Sequence, residues 1–411
     1  MSSQLIVNAT LVNVRDTSPV LRGMELAELP CIKDGWLLIE DRHVAGIGTM
    51  EEMPAGLNGL PRIDAAGKFV LPAWCDSHTH LVYAGSRETE FVDKLRGLSY
   101  AEINARGGGI LNSARILRET PEEVLFTQAW SRLDELSRLG TGAIEIKSGY
   151  GLTVDAELKM LRVIRRLKER SRLSIKATFL GAHSYPPEYR DNHQGYIDLI
   201  TDEMLPVIAR EGLADYIDVF CEQGFFSPLE TEAICRAGMA VGLKPKIHAN
   251  QLNLSGGVQT GVKLGAVSVD HLEMMDEDAI TALKGSATIG TLLPTAAFFL
   301  RMAFQPARQL IDAGCAIALA SDLNPGSSPS GNMNLVVSMS CIQMRMLPEE
   351  AINAATLNGA HAMELGAVTG SLTPGKRADL IITRPMPSLA YLPYAFGTNL
   401  IERVMIDGEF V

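Results

Sequence analysis

Short apolar runs alternate with amphipathic segments through the middle of the chain. The eight runs are Ala73–Ser77, Gly142–Lys147, Ile175–Leu180, Tyr216–Cys221, Lys244–Ile247, Ala266–Val269, Ala287–Leu292 and Ala316–Ala320. Helical periodicity lies between them, for example at Pro121–Leu139, Asp155–Arg170 and Leu229–Ala240. Strands that alternate with helices pair in parallel through right-handed crossovers, and eight such units close into a barrel. We therefore predict an α/β fold with a (β/α)8 TIM-like barrel.

An open, doubly wound sheet is the alternative for the same pattern. Its dinucleotide-binding form has no support, because no Gly-x-Gly-x-x-Gly follows the first apolar run. The barrel therefore remains the preferred interpretation.

Both ends of the chain alternate apolar and polar residues, which is typical of antiparallel strands with one buried face. The segments are Leu5–Val14, Trp36–Ile47, Ala378–Thr383 and Ile401–Asp407. We predict that residues 1–66 and 371–411 form one small β-sandwich domain, and that residues 67–370 form the barrel.

Polar residues follow the apolar runs at their carboxyl ends. Five of the eight histidines fall there, namely His78, His80, His183, His248 and His271. The carboxyl ends of barrel strands form one mouth, where catalytic groups collect. The sequence therefore predicts that these side chains converge.

Four of the residues that end these runs have the chemistry of a metal site. In a strand, alternate side chains share a face, so His78 and His80 point the same way. His248 and Asp322 would complete a set of three imidazoles and one carboxylate. Such a site lowers the pKa of bound water from 15.7 to roughly 7, and Asp322 can accept the water's proton. This arrangement favours hydrolysis of a C–N bond.

Each residue also has a simpler explanation. A His-x-His pattern such as His78/His80 occurs by chance on many strands. His248 considered alone would more often be a core histidine. Asp322 precedes Asn-Pro-Gly and is a standard turn opener. His271 is expected to orient the bound water or a ligand, and His183 is as readily a solvated loop residue.

Composition limits the class of protein. The chain has 411 residues, 46% hydrophobic and 21% charged, which is typical of a globular protein. Its net charge of −11 argues against nucleic acid as a partner. Six scattered cysteines predict reduced thiols rather than a disulfide framework. We see no signal-peptide pattern and no membrane-spanning stretch, so we expect a cytoplasmic protein.

With these residues assembled, the chain resembles the amidohydrolase superfamily, and most closely its imidazolonepropionase family. Gly35–Gly48, Pro72–His80 and Gly370–Leu380 carry the broader resemblance. The narrower resemblance depends on four segments together, Tyr83–Arg87, Ala105–Ile110, Glu145–Leu152 and Ser321–Gly326.

The resemblance implies a single zinc or iron ion held by His78, His80, His248 and Asp322. It implies a cyclic amide hydrolase that converts 4-imidazolone-5-propanoate to N-formimino-glutamate in histidine degradation. The residues that it places around the substrate are Arg87, Tyr150, His183, Gln251, Asn324, Gly326 and Ser327.

Gln251 and Lys147 bear on the catalytic base and on the number of metal ions. Some relatives have an acidic residue near the position of Gln251, but an amide cannot accept a proton. The chain would therefore use Asp322 or His271 as its catalytic base. Lys147 follows the second strand rather than the fourth, where a carbamylated lysine bridges two metals in binuclear relatives. We expect a structural or substrate-proximal lysine and a mononuclear site.

Two other functions remain open from the sequence. One is a nucleobase deaminase of the same architecture, against which Gln251 argues. The other is a non-catalytic relative, although such proteins lose ligand positions that are all present here. The expected partners are a small-molecule substrate and a second copy in a homodimer, with no nucleic acid and no membrane.

Overall fold

The computed structural model describes residues 3–57, 59–98, 102 and 108–411. Residues 105–107 of the segment Ala105–Ile110 lie outside this description. The strands, numbered in chain order, are β1 Gln4–Val12, β2 Cys31–Glu40, β3 His43–Thr49, β4 Arg62–Asp64, β5 Phe69–Pro72, β6 Trp74–Asp76, β7 Thr141–Lys147, β8 Ser174–Ala182, β9 Tyr216–Cys221, β10 Lys244–Ala249, β11 Ser268–His271, β12 Ile289–Leu292, β13 Ile317–Leu319, β14 Leu380–Thr383, β15 Ile401–Ile406 and β16 Glu409–Phe410.

Helices connect and flank these strands. The α-helices are α1 Glu88–Leu95, α2 Ile110–Glu119, α3 Glu122–Arg138, α4 Val154–Arg170, α5 His193–Asp198, α6 Leu205–Glu211, α7 Pro228–Ala240, α8 Gly257–Leu264, α9 Glu277–Lys284, α10 Pro294–Leu300, α11 Ala307–Ala313, α12 Met333–Met344, α13 Pro348–Ala355, α14 Leu357–His361 and α15 Tyr391–Tyr394. A π-helical turn at Leu199–Met204 joins α5 to α6, and short 3₁₀ turns lie at Gly23–Ala27, Met50–Glu52, Ala55–Leu57 and Pro187–Tyr189.

Strands β6 to β13 lie side by side in chain order, and every neighbouring pair is parallel. Each overlaps one of the eight predicted runs. The first and last strands meet just beyond their carboxyl ends, where Thr79 bridges to Leu323 in parallel. The amide of Asp322 donates to the carbonyl of His78 at 3.0 Å, and the amide of His80 donates to the carbonyl of Leu323 at 2.8 Å. The barrel therefore closes through the segments that carry the candidate metal ligands.

Helix α4 shows how the amphipathic pattern covers the barrel. It begins after Thr153 and ends before Ser171, close to the predicted Asp155–Arg170. Leu158, Leu161 and Ile164 recur on one face and are buried against the barrel. Charged residues occupy the opposite face, where Arg162 and Arg166 are half-buried and pair with Glu211 and Glu122 on neighbouring helices.

A second sheet unites the two ends of the chain. Its strand order is β16-β15-β14-β5-β1-β2-β3, and β4 pairs with β1. The sheet is mixed, because β1 is parallel to both β4 and β5 while the other pairs are antiparallel. Only Ala73 separates β5 in this sheet from β6 in the barrel. The predicted fold class is confirmed, while the domain limits at residues 66/67 and 370/371 stay a prediction.

None of the helices in the described part of the chain combines the length and apolar character that crossing a membrane requires.

Candidate active site

A compact cluster of imidazoles and one carboxylate lies at the carboxyl ends of the barrel strands. Oδ1 of Asp322 is 3.6 Å from Nε2 of His78 and 3.5 Å from Nε2 of His80. Nε2 of His248 is 3.5 Å from Nε2 of His80. All four side chains are buried. The structure therefore brings the four predicted metal ligands together from three separate regions of the chain.

The protonation states of this cluster suit a cation. Burial is the largest cause that lowers the pKa of His78 and His80 well below its ordinary value, and the Lys147 ammonium acts in the same direction, so both imidazoles are neutral at pH 7. Nδ1 of His78 hydrogen-bonds Asp270 at 2.6 Å, and Nε2 is buried with no hydrogen-bond partner among the residues that the structure describes. A buried polar atom without a partner is costly, and a neutral imidazole nitrogen is a common metal ligand. The residues present therefore fit a divalent metal ion.

His271 lies beside the cluster and is held by an acid. Its Nδ1 is 3.5 Å from Oε1 of Glu273, and Gln305 donates to the same oxygen at 2.9 Å. Burial alone would lower the pKa of His271, but Glu273 raises it above its ordinary value. The backbone of His271 has φ +90°, a strained value for a residue with a Cβ. The chain thus holds this imidazole, near His248, in a defined position.

A cavity of about 370 Å³ opens above the cluster. Its wall contains all seven predicted substrate-binding residues, namely Arg87, Tyr150, His183, Gln251, Asn324, Gly326 and Ser327. His80, His248, His271 and Asp322 face the same cavity, whereas His78 lies beneath it. The shared placement supports a common function for these residues, while their individual roles remain predictions.

Sequence reasoning missed several residues of the cavity wall. These are Lys94, Ile110, Phe220, Phe225, Leu252 and Leu300. Phe220 carried a detectable signal, because it lies one residue before the end of β9. The others lie on helices or loops, where the sequence pattern does not indicate which side chains point toward the mouth of the barrel.

Tyr150 is positioned by a buried acid on the following helix. The carboxylate of Glu157 accepts the amides of Gly149, Gly151 and Leu152 at 3.0, 2.7 and 2.9 Å. Gly149 has φ +107°, which favours glycine. Glu157 therefore fixes the loop that carries Tyr150 into the cavity.

His183 is not a solvated loop residue. Its Nδ1 lies 3.0 Å from the carbonyl of Gly149, and its ring stacks on His80 with centroids 5.3 Å apart. Burial lowers the pKa of His183 to about 3, so the ring is neutral.

The turn after Asp322 is organised by Asn324 rather than by Asp322 itself. Oδ1 of Asn324 accepts the amides of Gly326 and Ser327, both at 2.8 Å, and its Nδ2 donates to the carbonyl of Asp322 at 2.7 Å. The hydroxyl of Ser327 donates to Oδ2 of Asp322 at 3.3 Å. The Asp322 carboxylate is thus directed toward the histidines and the cavity.

Arg87 reaches the cavity between an acid and a glycine. Its Nε and Nη2 donate to Oε2 of Glu90 at 2.8 and 2.6 Å, and Glu90 also accepts the amide of Gly109. A Cβ at Gly326 would lie only 2.2 Å from Nη1 of Arg87, so the glycine makes room for the guanidinium. The ion pair with Glu90 is largely buried, and among the described residues it engages Nε and Nη2 but not Nη1 of the guanidinium.

Lys147 has no place in the cavity wall. Its side chain is fully buried in the barrel interior, where it contacts Glu145 and Asp218. A substrate-proximal role for this lysine is therefore not supported by its position. The sequence carried a signal for such buried charges, because Glu145 and Lys147 are charged residues at alternate positions of the buried strand β7.

Comparisons with known proteins agree with this architecture. Residues 146–411 match the model of the amidohydrolase family. Escherichia coli guanine deaminase superposes with a TM-score of 0.74 over 100% of this chain and 99% of its own, at 17% sequence identity. A triazine hydrolase variant superposes with a TM-score of 0.75 over 99% and 94% of the two chains, at 15% identity. At such low identity these structures show the shared fold alone.

The sequence relatives are much closer. The imidazolonepropionase of Flavobacterium johnsoniae is 58% identical over 402 residues, 98% of each chain. The imidazolonepropionase of Geobacillus kaustophilus is 42% identical over 391 residues, 94% of this chain and 92% of its own. The chain therefore belongs to the amidohydrolase family and, within it, to the imidazolonepropionases. The prediction of a hydrolase is confirmed.

Proposed function

We propose that this protein hydrolyses the ring C–N bond of 4-imidazolone-5-propanoate to N-formimino-L-glutamate, the third step of histidine degradation. The observation that carries the proposal is the 58% identity over 98% of the chain to an imidazolonepropionase. The cavity supports it, because cationic, hydrogen-bonding and metal-ligand side chains share one wall.

The proposed cofactor is one divalent ion per chain, zinc or iron, held by His78, His80, His248 and Asp322. When bound, such an ion supplies a Lewis acid that polarises a carbonyl and makes water acidic. Two observations support this ligand set: Nε2 of His78 has no hydrogen-bond partner within the described part of the chain, and Asp322 lies close to His78 and His80.

The proton path is assigned to this chain's own residues. Net hydrolysis adds water across the C–N bond, so that the ring carbonyl becomes a carboxylate and the leaving nitrogen gains a proton. Within the described part of the cavity wall, Asp322 is the one carboxylate. Asp322 therefore accepts the water's proton and passes it toward the nitrogen, with His271 stabilising the developing charge.

Substrate orientation is assigned to the cavity wall. Tyr150, His183 and Gln251 can hydrogen-bond the ring nitrogens and oxygen. Burial raises the pKa of Tyr150 above its ordinary value, so its hydroxyl remains a donor at neutral pH. Arg87 binds the propanoate through the guanidinium edge that Glu90 does not occupy.

The nucleobase deaminase alternative receives less support from the site. A deaminase needs a group that delivers protons to a leaving amine, and Gln251 lacks an ionisable proton. Glu222, which is close by in space, already accepts the amides of Gln223 and Leu252 at 2.9 Å. The similarity to guanine deaminase is limited to the fold.

The direct test is to follow the conversion of freshly prepared 4-imidazolone-5-propanoate by mass spectrometry. We expect a product one water heavier, formed in proportion to enzyme, and no ammonia from guanine or cytosine. Ammonia release from a nucleobase, without turnover of the imidazolone, would favour the deaminase.

Replacing Arg87 with alanine should lower kcat/KM for the propanoate substrate roughly tenfold to a hundredfold, because a charged hydrogen bond contributes about 1.5–3 kcal/mol. Arg87→Lys should restore only part of the activity, since an ammonium lacks the planar fork. Both enzymes are also assayed with an analogue that lacks the tail carboxylate. Wild type should strongly prefer the propanoate substrate, whereas Arg87→Ala should use the two compounds with nearly equal kcat/KM.

Arg96 provides the matched control. Arg87 directly precedes helix α1 and Arg96 directly follows it, with a side chain that is 72% exposed. Arg96→Ala should keep wild-type preference and activity. If Arg87→Ala also keeps the preference for the carboxylate, another residue binds the propanoate.

We further propose that the enzyme works in the cytoplasm and takes a small-molecule substrate. The six cysteines are unpaired, and four of them are buried, as is typical of a reducing compartment. Association of two copies into a homodimer stays a prediction, which light scattering of the purified protein would test.

A further inference from the structure

Five charged side chains form a fully buried cluster in the barrel interior, below the histidines. They are Glu145, Lys147, Asp218, Lys246 and Asp270, each with no exposed side-chain surface. Burying charges is costly unless they are paired. Three carboxylates and two ammonium groups leave the cluster with one net negative charge.

The two lysines have different partners. Nζ of Lys147 lies 2.5 Å from Oε1 of Glu145, 2.9 Å from Oδ2 of Asp218 and 3.6 Å from Oδ2 of Asp270. Lys246 pairs with the other oxygen of Glu145 and donates to the backbone carbonyls of Ser77 and Ala362. Lys147 is therefore the lysine placed between the two aspartates.

Each of these aspartates contacts one histidine of the proposed metal site. Oδ2 of Asp270 lies 2.6 Å from Nδ1 of His78. Oδ2 of Asp218 lies 3.0 Å from Nδ1 of His248, outside hydrogen-bond geometry, and its Oδ1 accepts the His248 amide at 3.1 Å. The two rings lie with centroids 4.5 Å apart.

We propose that Lys147 is a positioning residue for the metal centre, which holds Asp218 and Asp270 together so that His78 and His248 converge on one ion. This inference rests on the proposed metal site. Without the ammonium, the two aspartates repel each other in a medium of low dielectric. Their displacement would turn the two imidazoles, because each ring is in contact with one of them.

The test compares Lys147→Met with Lys246→Met. Both changes remove a buried ammonium that pairs with Glu145, but Lys147 is the one that contacts the aspartates. Zinc affinity is measured by competition with a chromophoric chelator, after the metal has been removed. We expect Lys147→Met to weaken zinc binding about tenfold to a hundredfold, as is usual for groups that orient metal ligands. Lys246→Met should stay close to wild type.

A charge-matched pair keeps the test decisive if either single variant fails to fold. Lys147→Met/Glu145→Gln and Lys246→Met/Glu145→Gln each lose one lysine and one carboxylate, so the net charge of the cluster is unchanged. We expect zinc affinity to fall in the first double variant alone. Loaded with cobalt, that variant should show a changed visible spectrum, which reports the ligand geometry and not stability.

The outcomes distinguish failure of the role proposed for Lys147 from failure of the proposed metal site. Equal weakening in both members of a pair, or no change in the Lys147 variants, would mean that the cluster only stabilises the barrel, and would overturn the inference. Failure of wild type to bind zinc or cobalt would instead contradict the proposed metal site.

Discussion

Replacing His248 with alanine should remove most of the metal from the purified protein, while the chain keeps its fold. His248 lies at the end of β10, and its Nε2 faces His80 across 3.5 Å. With one of the four proposed ligands removed, the two remaining imidazoles and the carboxylate would bind the ion much more weakly. Elemental analysis should find about one ion per chain in wild type, since the proposed site contains one set of ligands and no bridging carboxylate.

His193→Ala is the matched control for this experiment. His193 is 45% exposed and stacks on Tyr185, with ring centroids 3.7 Å apart. Its removal should leave the metal content at the wild-type value. Two ions per chain in wild type, or full metal content in His248→Ala, would contradict the proposed mononuclear site.

Replacing Asp322 with asparagine should lower kcat by about a hundredfold to ten-thousandfold, with a much smaller change in KM. The amide retains the shape of the side chain but cannot accept the proton of the attacking water. Burial raises the pKa of the Asp322 carboxyl above its ordinary value in the metal-free chain. Because Asp322 is also a proposed ligand, metal content is measured on the same samples, and kcat is expressed per bound ion.

His271→Ala separates proton transfer from metal binding. We expect a large loss of kcat with the metal still present, because His271 is not in the proposed ligand set. Glu273→Gln should have a smaller effect in the same direction, since Glu273 contacts His271 through Nδ1. Unchanged turnover per ion in Asp322→Asn or in His271→Ala would remove that residue from the proposed mechanism.

The barrel was predictable because its signal is local. Runs such as Tyr216–Cys221 are apolar and β-branched enough to be buried on both faces, and the observed strand has the same limits. The mixed parallel and antiparallel pairing of the terminal sheet was harder to predict from the sequence. Whether β1 pairs in parallel with β5 depends on how distant segments meet, and alternation within one strand does not encode the direction of its neighbour.

The histidines at strand ends were also accessible from sequence. Parallel strands in a closed barrel bring their carboxyl ends to one mouth, so position along each strand predicts proximity. Arg87 shows the limit of this reasoning. Its place in the cavity depends on Glu90 and on the space left by Gly326, which lies 239 positions further along the chain.

The sequence by itself determined the barrel, the four candidate metal ligands and the family, because each depends on local patterns or on motifs that can be compared directly. Only the tertiary structure decided which buried charges support those ligands. Lys147, Asp218 and Asp270 come from three strands, and each alone resembles an isolated core charge. Their relation arises when strand register and barrel closure place them on one interior layer, since pairing between buried charges depends on distances that no single segment specifies.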